Sequence, residues 1–246
     1  MRQRLGQHFL INRTAVRTII RHLAPQQGET IIEIGPGTGT LTIPLLEACG
    51  RIGAQLIAIE KDKRLVHWLI GESVNWKNTL KIINGDALNE LPELINKLTN
   101  QSTNYKVVGN IPYYITGRLL RMISEAEIKP ALTVLTVQEE VAERIAAQEP
   151  QMNLLSAITQ AWAETDILAR LKPRDFNPPP KIRSAIIRLQ ALRAPLVRNL
   201  AAYWRVMKIL FKQPRKTVFN NLRAGLRISR ETIETCLTNT GIRPNA

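Results

Sequence analysis

Cysteine is almost absent from this sequence: the 246-residue chain holds only Cys49 and Cys236. Two distant cysteines form no disulfide framework and cannot complete a four-ligand zinc site. A reduced, cytoplasmic protein without bound metal is therefore expected. Long apolar runs are also missing, and none reaches the roughly 18–20 residues of a membrane helix. No signal-type apolar core follows the basic start Met1–Gln7, because Thr14–Leu23 keeps Arg17, Arg21 and His22 among its aliphatics. No membrane association is expected. Acidic residues are the third shortage, 20 against 34 Lys and Arg, which leaves a formal net charge of +14. On a folded chain that excess points to a polyanionic partner.

What is present is an ordinary globular composition, 44% hydrophobic and 22% charged, with its charge unevenly placed. Arg2, Arg4, Arg13, Arg17 and Arg21 precede the first acidic residue. From Arg193 onward a dense run of Arg and Lys meets only Glu231 and Glu234. Both ends are basic and the middle is nearer balance, an arrangement suited to a catalytic domain with nucleic-acid handles.

The middle reads as an α/β domain. Apolar β-rich runs at Thr30–Ile34, Gln55–Ile59, Leu80–Ile83, Tyr105–Val108 and Leu132–Val137 alternate with helical patterns. Strict alternation of this kind implies βαβ units and a mostly parallel, Rossmann-like sheet. Two further runs, Ile167–Leu171 and Ile182–Leu189, are separated by a loop containing Asn177-Pro178-Pro179-Pro180. Their closeness predicts an antiparallel addition at the sheet edge. After Leu189 the composition turns basic and helical. The boundary is placed near 190: residues 1–190 as a catalytic domain, 191–246 as a small helical RNA-binding domain. His22 and His67 are expected on helix surfaces, and Trp68, Trp76, Trp162 and Trp204 in packing roles.

Three loops at predicted strand ends carry the chemistry. Thr30–Ile34 runs into Gly35-Pro36-Gly37-Thr38-Gly39, a glycine turn at the first strand–helix junction, where backbone can approach a nucleotide. The next strand ends in Glu60, about 20 residues on, where a carboxylate can hold the two hydroxyls of a ribose. The pair suits NAD and S-adenosyl-L-methionine alike. The G-x-G-x-G spacing with Glu33 just before it favours the latter, since a carboxylate suits a sulfonium and repels a pyrophosphate. The third strand ends in Gly85-Asp86-Ala87, where Asp86 can accept a hydrogen bond from an adenine amine. The fourth ends in Asn110-Ile111-Pro112-Tyr113. The exocyclic amine of adenine is a weak nucleophile. Accepting both of its N–H bonds, through the Asn110 side chain and the Ile111 carbonyl, favours the pyramidal form that reacts. Pro112 fixes the turn and Tyr113 offers a face for an extruded base.

These stretches resemble the ribosomal RNA adenine N6,N6-dimethyltransferases. They do so together with Leu5-Gly6-Gln7-His8-Phe9-Leu10, Phe176-Asn177-Pro178-Pro179-Pro180-Lys181, Ser184-Ala185 and Arg215-Lys216-Thr217, from residue 3 to about 244. Within that family the likeness is strongest to the bacterial small-subunit (16S) branch. The resemblance implies dimethylation of two adjacent adenosines in a hairpin loop near the 3′ end of that RNA, by a monomer acting on an assembling subunit. By position it implies that His8, Leu10, Gly35, Glu60, Asp86 and Asn110 contact S-adenosyl-L-methionine, with Gly37 in the same loop. Asn110 and Tyr113 then face the target adenine. Arg2, Arg4, Arg215 and Lys216 are expected to touch RNA phosphates. Met152-Asn153-Leu154 departs from the Tyr-Gly-Arg frequent in relatives, and the helical domain ends early. The competing readings are a large-subunit adenine methylase of the macrolide-resistance type and a non-catalytic RNA-binding assembly factor on the same scaffold.

Overall fold

The computed structural model describes residues 8–100, 104–194 and 196–243, so Arg2 and Arg4 lie outside the described residues. Strand β1 (Phe9–Leu10) comes first. Helix α1 (Arg13–Leu23) starts where it does because the Asn12 side chain accepts the N–H groups of Thr14, at 2.8 Å, and Ala15, at 3.1 Å. Its buried face is Ala15, Val16, Ile19 and Leu23. It stops at Ala24, held in the left-handed region (φ 41°), just before Pro25.

Ten elements then alternate: β2 (Thr30–Ile34), α2 (Thr42–Ile52), β3 (Gln55–Glu60), α3 (Lys63–Glu72), β4 (Leu80–Asn84), α4 (Ala87–Asn100), β5 (Tyr105–Asn110), α5 (Thr116–Glu125), β6 (Leu132–Gln138) and α6 (Glu139–Ala146). Their strands pair in parallel in the order β4-β3-β2-β5-β6. After α7 (Leu154–Gln160), β7 (Ala163–Leu171) and β8 (Phe176–Asn177), strand β9 (Ser184–Ala191) slides between β6 and β7, antiparallel to both. The last strand is thus the reversed one. Of the closely spaced final pair only β7 is at the edge of the seven-stranded sheet. The chain continues through α8 (Leu200–Leu210), α9 (Val218–Gly225) and α10 (Arg230–Asn239).

A parallel sheet is covered on both faces, so its strands are apolar on both sides. Ile32, Ile34, Val107 and Leu135 pack with Leu91, Leu119 and Ile145 on one face; Ile31, Leu56, Val108 and Val134 pack with Ile19, Leu45 and Leu46 on the other. Burying each such aliphatic contributes about 1.5–3 kcal/mol. At one end of the sheet Lys106 (β5) and Glu29 form an enclosed ion pair at 2.8 Å, and Lys106 also donates to the Ala24 carbonyl at 2.9 Å. At the other end the strands finish level: Ile34 pairs with Ile59 and Gly109, and Ile59 with Ile83. Chain direction across the sheet reverses between β2 and β5, which opens a crevice above those ends.

Helix α7 and the strands β1 and β8 were not foreseen. Helix α7 begins at Met152-Asn153-Leu154: the Asn153 side chain accepts the Leu155 N–H at 2.9 Å, and Ser156 Oγ accepts the Asn153 N–H at 2.7 Å. That tripeptide is a helix cap. Strands β1 and β8 form an antiparallel pair, which ties residues far apart in sequence (Phe9 to Asn177, Leu10 to Phe176) and leaves no periodicity to read. Trp162 is buried as expected, whereas Trp68 is 43% exposed.

Candidate active site

The crevice is a cleft of about 620 Å3 lined from the ends of β2, β3, β4 and β5 and from His8 and Phe9, which form a strap at β1. Gly35 and Gly37 sit in its floor with φ of 68° and 57°. A Cβ on Gly37 would stand 2.7 Å from the Phe9 ring, so glycine here lets the strap close onto the loop. A Cβ on Gly109 would come within 2.5 Å of the Ile34 carbonyl. That bare position lets β5 bring Asn110 against the glycine loop.

Glu60 closes β3 in the cleft wall. Its Oε2 accepts the Gly37 N–H at 3.1 Å and its Oε1 the Asp62 N–H at 2.8 Å. A carboxylate offers about four lone-pair sites, so both oxygens retain capacity for the hydroxyls of a ribose. Asp86 stands at the next strand end. Its Oδ1 accepts the Leu88 N–H at 3.0 Å and its Oδ2 meets Lys61 Nζ at 2.8 Å. The Lys61 hydrogen bond, helped by the Leu88 N–H and by Arg118 nearby, holds the Asp86 carboxyl below the usual carboxylate range.

Asn110 donates from Nδ2 to the His8 carbonyl at 2.8 Å, which leaves its side-chain oxygen free to accept in the cleft. His8 Nδ1 donates to the Pro178 carbonyl at 2.8 Å. His8 is thereby tied through its carbonyl to the Asn110 turn and through its ring to the proline-rich loop. Tyr113 is half-buried; its hydroxyl lies 2.7 Å from Ser184 Oγ, and its ring faces His8 with centroids 6.3 Å apart. Burial holds the Tyr113 phenol above its ordinary value, so it stays protonated.

The structure therefore gathers His8, Gly35, Gly37, Glu60, Asp86, Asn110, Ile111, Pro112 and Tyr113 around one cleft. Leu10 is not brought there. It is 3% exposed and packed in the core, because alternation along β1 turns Phe9 to the cleft and Leu10 inward. Glu33 also departs from expectation. It is 1% exposed, is not in the cleft lining, and has an Oε2 with no partner. Burial, with Glu60 adding to it against the Thr42 hydroxyl, pushes its pKa up to about 8. At neutral pH it is mostly uncharged, so the negative group facing the cleft beside the glycine loop is Glu60. Arg215 and Lys216 sit exposed in the turn before α9, far along the chain from the cleft. The Asn221 side chain holds that turn by donating to the Gln213 and Lys216 carbonyls at 3.1 and 3.0 Å. Sequence reasoning gave no role to Lys61 or Tyr114, both in the cleft lining. The signal for Lys61 was its place directly after Glu60. The buried Cys49 thiol, pushed up to about 12, is not a nucleophile.

Comparison with known proteins agrees with this geometry. Residues 1–245 match the family described as ribosomal RNA adenine dimethylase. A Dehalococcoides mccartyi protein named ribosomal RNA small subunit methyltransferase A is 35% identical over 99% of this chain and 81% of its own. A protein of the same name from Clostridium botulinum is 34% identical over 98% of this chain and 86% of its own. Among solved structures, a dimethyladenosine transferase from Plasmodium falciparum overlays with a TM-score of 0.76 at 24% identity, covering 96% of this chain and 83% of that one. The 23S rRNA methyltransferase ErmE overlays at 0.71 with 24% identity, covering 97% and 92%. With the glycine turn, Glu60, Asp86 and the Asn-Ile-Pro-Tyr turn around one cleft and the family match spanning the chain, this protein belongs to the ribosomal RNA adenine dimethylase family of methyltransferases.

Proposed function

We propose that this chain transfers methyl groups from S-adenosyl-L-methionine to N6 of two adjacent adenosines in small-subunit (16S) ribosomal RNA. The RNA is presented within an assembling subunit in the cytoplasm, and the enzyme acts as a monomer. The observation that carries the reading is the meeting of Asn110 with the glycine turn across a Gly109–Ile34 contact no other residue would permit. The small-subunit target is supported by the names of the relatives that cover nearly the whole chain.

The cleft suits the cofactor. Gly35 and Gly37 leave backbone bare for its methionine part, Glu60 takes the ribose hydroxyls, and Asp86 takes the adenine amine once Lys61 yields. The cofactor supplies a methyl group made electrophilic by a sulfonium. The protein supplies position. The Asn110 side-chain oxygen and the Ile111 carbonyl accept the two N–H bonds of the target amine and favour its reactive shape. The Tyr113 ring, fixed by Ser184 and His8, holds the base in line with the methyl group. The amine proton is lost to water after transfer, so no strong base is needed. Residues 191–246 serve as the RNA handle, with Arg215 and Lys216 on phosphates.

The decisive experiment incubates the protein with methyl-labelled cofactor and unmodified small or large subunits, then maps the label. Label on two adjacent adenosines of the small-subunit RNA is expected. Label on a large-subunit adenosine would establish the macrolide-resistance type instead, and no transfer to either would leave an RNA-binding factor.

A further inference from the structure

The rim of the cleft carries a residue that the chemistry above does not use. Tyr114 follows Tyr113 directly yet is 64% exposed. Both lie in a single 3-10 turn, Tyr113–Ile115, and that turn is anchored: Ile115 is buried and the Tyr113 hydroxyl meets Ser184. The turn cannot rotate to hide Tyr114 without breaking these contacts. Its ring lines the cleft and looks outward. A single exposed aromatic is unremarkable on its own, and its surroundings give this one meaning. Exposed Arg118 follows on α5, and exposed Lys63 lines the same cleft; neither has an ion-pair partner among the described residues. The acidic groups of this rim, Asp86 and Asp62, are engaged by Lys61 at 2.8 Å and by Arg64 at 2.6 Å. A flat ring on the same cleft as Lys63 and four residues before Arg118, with neither cation held by a carboxylate among the described residues, has the chemistry of a single-strand nucleic-acid site.

We propose that Tyr114 is a positioning residue that stacks the base next to the target adenosine in the RNA strand, while Arg118 and Lys63 meet the phosphates on either side of it. The proposal rests on the reading that the chain methylates adenosine in RNA. The two neighbouring tyrosines divide the work by direction. Tyr113 faces into the cleft and takes the target base; Tyr114 faces out and takes its neighbour. When two adjacent adenosines are methylated in turn, the one outside the cleft then has a defined place to wait.

The test uses unmodified small subunits whose RNA carries 2-aminopurine, a fluorescent adenine analogue, on one or the other side of a target adenosine. Binding of the wild-type enzyme should change the emission at one of the two positions. Tyr114→Phe should preserve that change. Tyr114→Ala, and Tyr114→Leu with similar bulk but no flat face, should abolish it and weaken RNA binding by roughly 5- to 150-fold, the worth of one base stack. The KM for RNA should rise more than kcat falls, while cofactor affinity and melting temperature hold. Wild-type enzyme that methylates the RNA, alongside Tyr114→Ala that binds within twofold and gives the same emission change, overturns this proposal alone. Wild-type enzyme that neither binds nor methylates the RNA overturns the functional reading and this proposal with it.

Discussion

Asn110 shows how much chemistry one side chain carries here. One N–H of its Nδ2 is given to the His8 carbonyl, and that bond orients the side-chain oxygen proposed to accept from the substrate amine. Asn110→Asp keeps an acceptor but loses the donor that holds the strap. Asn110→Ala loses both. The alanine variant should lower kcat by at least about 100-fold, the scale for removing one preorganised polar group at a reacting centre, while RNA binding stays near wild type. Wild-type turnover in that variant would remove Asn110 from the proposed mechanism. Glu33 makes a second residue-scale prediction, about stability. Its pKa rises from an ordinary 4.5 to about 8 in the folded chain through burial first, with Glu60 adding to it. The folded state thus holds a proton that the unfolded chain has released. Its contribution is whole below about 4.5 and is lost as pH climbs to about 8, at a limiting slope of about 1.4 kcal/mol per pH unit. Glu33→Gln mimics the protonated form. Its melting temperature should match wild type near pH 4.5 and exceed it increasingly up to pH 8, as calorimetry would record; parallel curves across that range would refute the buried-acid assignment. The sequence marked Glu33 as functional but not its orientation. A motif gives a residue's place on a strand, and burial decides whether its charge is expressed.

At the scale of elements, most of the fold was legible because periodicity reports it. The five β-rich runs became β2, β3, β4, β5 and β6, and the reversed last strand was anticipated. What escaped were contacts with no local signature. The β1–β8 pair joins Phe9 to Asn177, with the whole parallel sheet between them in the chain, and a two-residue strand is too short to show alternation. Helix α9 begins at Val218 because the Thr217 side chain caps it by accepting the Asn220 N–H at 3.3 Å, a start that composition alone does not show. The strap formed by β1 lends itself to a test through the loop beneath it. In Gly37→Ala two costs combine, a positive φ of 57° and a collision with the Phe9 ring at 2.7 Å. Gly28→Ala has the first cost alone: its φ is 76°, and nothing lies within 4 Å of the new methyl. Gly28→Ala should lose roughly 1–2 kcal/mol of stability, the backbone cost alone, and Gly37→Ala at least as much. Only Gly37→Ala should also weaken cofactor binding, by about tenfold or more, because the strap must lift. Equal cofactor affinities in the two variants, measured by calorimetry, would show that strap and loop are not coupled.

For the whole molecule the governing quantity is charge and where it sits. The formal net charge is +14, and the stretch from Arg193 onward is opposed only by Glu231 and Glu234. That stretch meets the sheet-bearing part of the chain through Leu196, whose N–H donates to the Ala161 carbonyl at 3.0 Å, and through α8. Trp204 Nε1 donates to Ser124 Oγ at 3.2 Å, and the Tyr203 hydroxyl donates to the Ala157 carbonyl at 3.2 Å. Arg121 and Lys208 lie 5.5 and 5.3 Å from the centre of the Trp204 ring. The buried residues within the last three helices are Asn221, Ile233 and Leu237. A segment with so little core of its own contributes chiefly through its surface. Phosphate contacts release counterions, so RNA affinity should fall linearly on a logarithmic salt scale, and each lysine or arginine contact removed should flatten that slope by about one. The double variant Arg215→Ala, Lys216→Ala removes two exposed cations from a turn whose shape depends on Asn221, not on them. It should bind all RNA sequences more weakly, reduce the slope by about two, and turn over at the wild-type rate once RNA saturates. An unchanged slope would mean that this turn does not meet phosphate and that the basic surface serves some other end.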